Sequence, residues 1–156
     1  MPSFYKSLFV LLLVACVGCR TEQEREYRTL AVTFFRMPLK KQMEEFSRYD
    51  VEKQYVVFIC GNQYIHPPAT YLAGPFAMEG EKVVSFLTEK LQSADDDQTL
   101  RDIILVFAEM SRRKTYEVGA NKDLMGILTN RVAQMKDPEW RRVVEGQMMT
   151  DITGKP

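Results

Sequence analysis

Histidine and tryptophan each occur once in this chain, at His66 and Trp140, and cysteine occurs three times. A single histidine excludes a histidine-built metal cluster within one chain, because such centres draw on several imidazole or thiolate ligands. Three cysteines are too few for a disulfide framework, so the fold has to rest on a hydrophobic core. An excess of one charge is missing as well: 21 basic residues face 21 acidic ones, a formal net charge of +0 at pH 7. That balance gives no support for nucleic-acid binding, which calls for a strongly basic face, and suggests no polybasic contact with a membrane. The patterns Gly-x-x-x-x-Gly-Lys-Ser/Thr and Gly-x-Ser-x-Gly are absent, and with them the sequence signs of a phosphate-cradling loop and a hydrolase elbow. The longest apolar run, Leu8 to Val17, has ten residues, about half of the roughly 20 that a helix needs to cross a bilayer core.

What that run does fit is the apolar segment of a secretory signal, with Lys6 as its positive flank and small residues at its end. Leu13-Val14-Ala15-Cys16 resembles the lipobox of bacterial lipoproteins, Leu-(Ala/Ser/Val)-(Gly/Ala)-Cys, at every position. Cys16-Val17-Gly18-Cys19 matches less well, with a cysteine where the leucine belongs. The resemblance implies a signal peptide over residues 1–15, removed just before a lipid-bearing Cys16, with Cys19 as the alternative attachment site. It implies a protein held at a membrane of the bacterial cell envelope, facing the periplasm in a Gram-negative cell. Stable attachment takes more than one acyl chain, at about 0.8 kcal/mol per buried methylene. Residues 16–26, ending in the polar stretch Thr21–Glu26, then read as lipidated terminus and tether. Removal of residues 1–15 takes away Lys6 alone among the charges; 20 basic and 21 acidic residues remain in 141, a net charge of −1. Residues 27–156 are the size of a single domain.

That domain reads as all-α. The stretch 27–36 is ambiguous between helix and strand. From Pro38, fit for a first helical position, Leu39, Met43 and Phe46 recur at helical spacing. Asp50 is a candidate N-cap for a helix carrying Val51, Tyr55, Phe58 and Ile59, which Gly61 and Asn62 should end. Residues 66–80, rich in proline and glycine, read as a loop with one helical turn near Ala69–Leu72. A third helix starts near Glu79–Glu81 and presents Val83, Val84, Leu87 and Leu91 on one face; a fourth, after Asp95–Asp97, carries Leu100, Ile103, Ile104, Phe107 and Met110. Apolar all round from Ile103 to Ala108, this fourth helix should be the most buried. A fifth spans about 121–136, and a sixth opens at Asp137-Pro138-Glu139-Trp140.

A shift of 41 residues lays the third and fourth helices over the fifth and sixth, with Leu87 on Leu128, Asp96 on Asp137 and Arg101 on Arg142. Two helices per unit and a period near 40 are what α-solenoids show. The turns resemble those of HEAT repeats, in which an aspartate precedes the second helix and an arginine follows about five residues on: here Asp96 with Arg101, and Asp137 with Arg142. The clearest units are 79–113 and 120–152. The architecture expected is therefore antiparallel helical hairpins in a HEAT-like α-solenoid, with a compact irregular helical bundle as the alternative. The aspartates would cap the second helices, and the arginines would reach back to them or to the neighbouring turn.

Catalytic groups are sparse. Cys60 lies among large apolar residues and reads as a small buried hydrophobe, and His66 lies in a proline-fixed turn, so a Cys60/His66 pair is not expected. The acids Asp95–Asp97 lack the spacing of an EF-hand and read as helix caps. No cofactor or metal is expected. Anchoring and architecture together point to a non-enzymatic envelope protein that binds a protein partner through a helical-repeat surface, as an immunity or adaptor protein would. The alternative is an envelope enzyme acting on peptidoglycan or another polymer with paired carboxylates such as Glu79, Glu81 and Asp95–Asp97. Nucleic acid is not an expected partner, and oligomeric state is left open.

Overall fold

Every regular element is helical: a computed structural model describes residues 22–154 as eight α-helices joined by short turns, with no strand among the described residues. The expected signal peptide and both candidate lipid-bearing cysteines, Cys16 and Cys19, lie outside the described residues. Among the described residues no helix is long and apolar enough to cross a membrane.

Helix α1 covers residues 22–32, so residues 22–26, expected as tether, are already helical. Glu26 pairs with Lys53 of the third helix at 2.7 Å, which ties this part of α1 to the fold. The ambiguous stretch 27–36 continues as helix to residue 32 and closes in a 3-10 turn, Phe34–Arg36, with Phe34 buried. Helix α2 is Leu39–Phe46, with Pro38 just outside it rather than at its first position.

Helix α3 is Val51–Gln63, and Asp50 caps it by accepting a hydrogen bond from the Lys53 N–H at 2.8 Å. It runs past the stop expected at Gly61–Asn62. Gly61 is there for packing: a Cβ on it would come within 2.8 Å of the Ala69 Cβ and 2.9 Å of the Phe35 ring.

The segment 66–80 is more ordered than a loop. A 3-10 turn, Thr70–Leu72, leads into α4, Ala73–Ala77. Pro75 is tolerated because it falls in the first turn, where a helix has no use for the missing N–H. Phe76, fully buried, meets the rings of Phe46 and Phe58 edge-on, each with centroids 5.9 Å apart.

After a 3-10 turn at Gly80–Val83 come α5, Val84–Ser93, and α6, Asp97–Arg113. Then follow α7, Lys122–Ala133, and α8 over residues 138–153, which contains a π-helical turn at Val144–Met148. Helix α6 is the hub and packs against α3, α4, α5, α7 and α8. Ile103, Ile104, Val106, Phe107 and Met110 are inaccessible to solvent; burying each such side chain stabilises by about 1.5–3 kcal/mol. Helices α5 and α7 lie side by side, as do α6 and α8, so corresponding helices of the two 41-residue segments are neighbours.

Candidate functional site

The turns α5–α6 and α7–α8 are bonded to each other. The Asp96 carboxylate accepts from the Thr99 N–H at 2.8 Å and the Asp137 carboxylate from those of Glu139 and Trp140 at 2.8 and 3.2 Å, so both aspartates cap the helices that follow them. Asp97 does something else: its Oδ2 accepts from the backbone N–H groups of Lys136 and Asp137, at 2.8 and 2.6 Å, across the seam. From the other side the Arg131 guanidinium donates to the Ala94 carbonyl.

The two arginines of the repeat pattern behave differently. Arg101 bonds to Asp102 rather than to Asp96, its Nε and Nη2 donating to Oδ1 at 2.9 and 2.5 Å, and it lies over the Trp140 ring of α8. Arg142 is exposed and makes no ion pair among the described residues.

Asp102 escaped notice in the sequence. Its side chain is wholly buried, and its Oδ2 accepts from Gln63 Nε2 at 3.1 Å, while the same nitrogen donates to Thr99 Oγ1 at 3.1 Å. Burial pushes its carboxyl above the usual carboxylate range, against the opposing pull of Arg101 and the Gln63 hydrogen bond. The available signal was an acid set at the edge of a helical segment apolar on all sides, where a carboxylate needs a partner. This cluster ties α3, α6 and α8 together.

The expected chemical candidates have different surroundings. Cys60 is buried and its Sγ lies 3.7 Å from the Tyr27 carbonyl oxygen, with burial pushing the thiol up to about 11. His66 is exposed in the turn beyond α3. Asp96 and Asp97 are committed to backbone N–H groups, and Asp95 is exposed. No group of three or more His, Cys, Asp or Glu side chains among the described residues could hold a metal ion.

One concave surface combines apolar and polar groups. A groove of about 530 Å³ runs between α5 and α7, and Val84, Leu124 and Ile127 give it an apolar lining. Glu81, Glu89 and Asp123 add three carboxylates, and among the described residues no lysine or arginine lines it. At one end the Tyr116 hydroxyl is held by a hydrogen bond from Asn121 Nδ2 at 2.8 Å, while Asn121 also caps α7.

No family model, curated protein or solved structure matches this chain. The groove offers aliphatic side chains within, a tethered tyrosine, and three carboxylates at its walls.

Proposed function

We propose that the chain is a lipid-anchored, non-enzymatic protein of the bacterial cell envelope that binds a protein partner in the α5/α7 groove, as an immunity or adaptor protein would. In this reading the two hairpins stack as HEAT-like units, and the groove lies between their first helices. The anchor rests on the lipobox-like Leu13–Cys16, and lipid on Cys16 requires a mature chain that begins there; an intact mass beginning at Cys19 would move the lipid to that residue.

The observation that carries the binding reading is the groove's composition, an apolar lining with three carboxylates and, among the described residues, no cation. It suits a partner segment that presents aliphatic or aromatic side chains beside lysine or arginine. The rigid Tyr116 is the residue type that dominates interface hot spots.

Photo-crosslinking in the envelope tests this. A crosslinker at Ser85, exposed and lining the groove, should trap one protein, and the paired change Glu89→Lys/Asp123→Lys should abolish the adduct. A crosslinker at Arg142 on α8 should trap nothing comparable. Adducts of the same pattern at both positions, or none at Ser85, would sink the reading.

A further inference from the structure

The balanced charge of the whole chain hides a basic segment. From Tyr27 to Lys41 there are four cations, Arg28, Arg36, Lys40 and Lys41, and no acid, with Arg25 one turn earlier on α1. All five are exposed, and none makes an ion pair among the described residues. The bordering acids are partly neutralised: Glu26 pairs with Lys53 and Glu45 with Arg48, while Glu22, Glu24 and Glu44 remain at the margins.

The same segment holds exposed aliphatic side chains, Val32 at 66% and Leu39 at 58%. At 100° per residue, Arg25, Arg28 and Val32 fall within about 60° of one another on α1, opposite the buried Leu30. Tyr71, 40% exposed, adds an amphipathic ring beside α2, where its hydroxyl bonds to Gln42.

We propose that Arg25, Arg28 and Val32 on α1, together with Leu39 and Lys40 at the start of α2, lie against an anionic lipid surface and fix the orientation of the domain on the membrane. Cations attract anionic headgroups, and Val32 and Leu39 reach the acyl boundary, the combination that interfacial helices use. A nucleic acid would reward the charges and leave the aliphatic side chains without purpose. Position along the chain supports the same partner. Arg25 follows Cys19 by six residues and Cys16 by nine, a tether of at most about 30 Å at full extension. That is short enough for the patch to reach the bilayer, though longer than the Debye length of about 10 Å over which headgroup charge acts. The anchored reading thus places the patch near a bilayer, and in that respect the proposal rests on it.

The test uses the full mature chain with Val32→Trp or Leu39→Trp, mixed with vesicles of phosphatidylcholine alone or with one-third phosphatidylglycerol, brominated on the acyl chains. Both positions are exposed, so either variant keeps the fold. Tryptophan at 32 or 39 should be quenched in the anionic vesicles and recover in 0.5 M salt, while native Trp140 stays unquenched. Each of Arg28→Gln and Lys40→Gln should lower the docking constant about fivefold. Flotation of the chain with neutral vesicles reads the anchor separately. Flotation without quenching overturns the proposal and leaves the anchor standing. Flotation only with anionic vesicles, accompanied by quenching, supports the proposal and overturns the anchor. Equal quenching in neutral vesicles, or binding to a DNA oligonucleotide in place of vesicles, overturns the proposal.

Discussion

Arg101 lies over the ring of Trp140, its guanidinium carbon 4.4 Å from the ring centroid, while it pairs with the buried carboxylate of Asp102. A cation held this way joins α6 to α8 through an aromatic face, and its own charge is balanced from within α6. The stretch Pro138–Val143 buries no residue fully, so Trp140 is a principal attachment of this end of α8. Trp140→Ala should cost about 1–3 kcal/mol in urea unfolding, from lost apolar contact and the lost cation–π interaction. A double-mutant cycle with Arg101→Gln should return a coupling of roughly 0.5–2 kcal/mol. Strict additivity of the two changes would mean that the stacked pair contributes nothing.

The three consecutive aspartates before α6 should separate cleanly. Asp95 is exposed and makes no hydrogen bond among the described residues, so Asp95→Ala should leave the urea midpoint unchanged. Asp96→Ala removes a cap and should cost about 0.5–2 kcal/mol. Asp97→Ala leaves two backbone N–H groups of the next turn without their acceptor and should cost about 1–3 kcal/mol. Hydrogen exchange distinguishes the last two. Lys136 and Asp137 amides should exchange faster in Asp97→Ala and at an unchanged rate, relative to global stability, in Asp96→Ala. An equal loss from all three changes would show that the cluster acts by charge alone.

The sequence disclosed the helices wherever one apolar face repeats, as in α5, α6 and α7, and wherever an acid stands at a start, as at Asp50, Asp96 and Asp137. It misled where one residue serves two purposes. Gly61 has the look of a helix stop and is in fact a space for Phe35 and Ala69. Pro75 and Gly74 have the look of a loop, yet the proline falls where no N–H is needed, and a Cβ on the glycine would meet the Arg113 guanidinium. Contacts between distant residues leave no local trace. Nothing near Asp102 points to Gln63, and nothing in α5 or α7 alone says that a groove lies between them.

Asp102 also sets a pH dependence. Its folded carboxyl is raised above the ordinary value of 3.8, chiefly by burial, so the native state holds a proton over a range in which the unfolded state has lost it. The contribution of this group to stability is therefore fullest below about 3.8 and falls as pH rises through the raised value. Asp102→Asn cannot titrate. The stability of the native chain minus that of Asp102→Asn should decline as pH is raised from below 3.8 toward neutrality. Parallel urea midpoints across that window, or a difference that grows with pH, would show that Arg101 outweighs burial.

Two helix-interior glycines should respond to alanine with opposite signs. Intrinsic propensity favours alanine over glycine by about 1 kcal/mol in any helix interior, so the outcome turns on space. Gly126, exposed in the middle of α7, has no atom within 4 Å of an added Cβ, and Gly126→Ala should stabilise the fold by about 0.5–1 kcal/mol. Gly61 in α3 has the Ala69 Cβ at 2.8 Å and the Phe35 ring at 2.9 Å. The Phe35 ring can swing, but the Ala69 Cβ moves only with its backbone, whose N–H bonds to the Gly61 carbonyl at 2.9 Å. Overpacking of about 1–3 kcal/mol then cancels or exceeds the gain in propensity, leaving Gly61→Ala up to about 2 kcal/mol less stable than the native chain. Thermal unfolding of the two variants side by side decides it. A stabilised Gly61→Ala would mean that the 66–80 segment is loosely held against α3 and that its proline and glycine content describes it better than its buried Phe76 does.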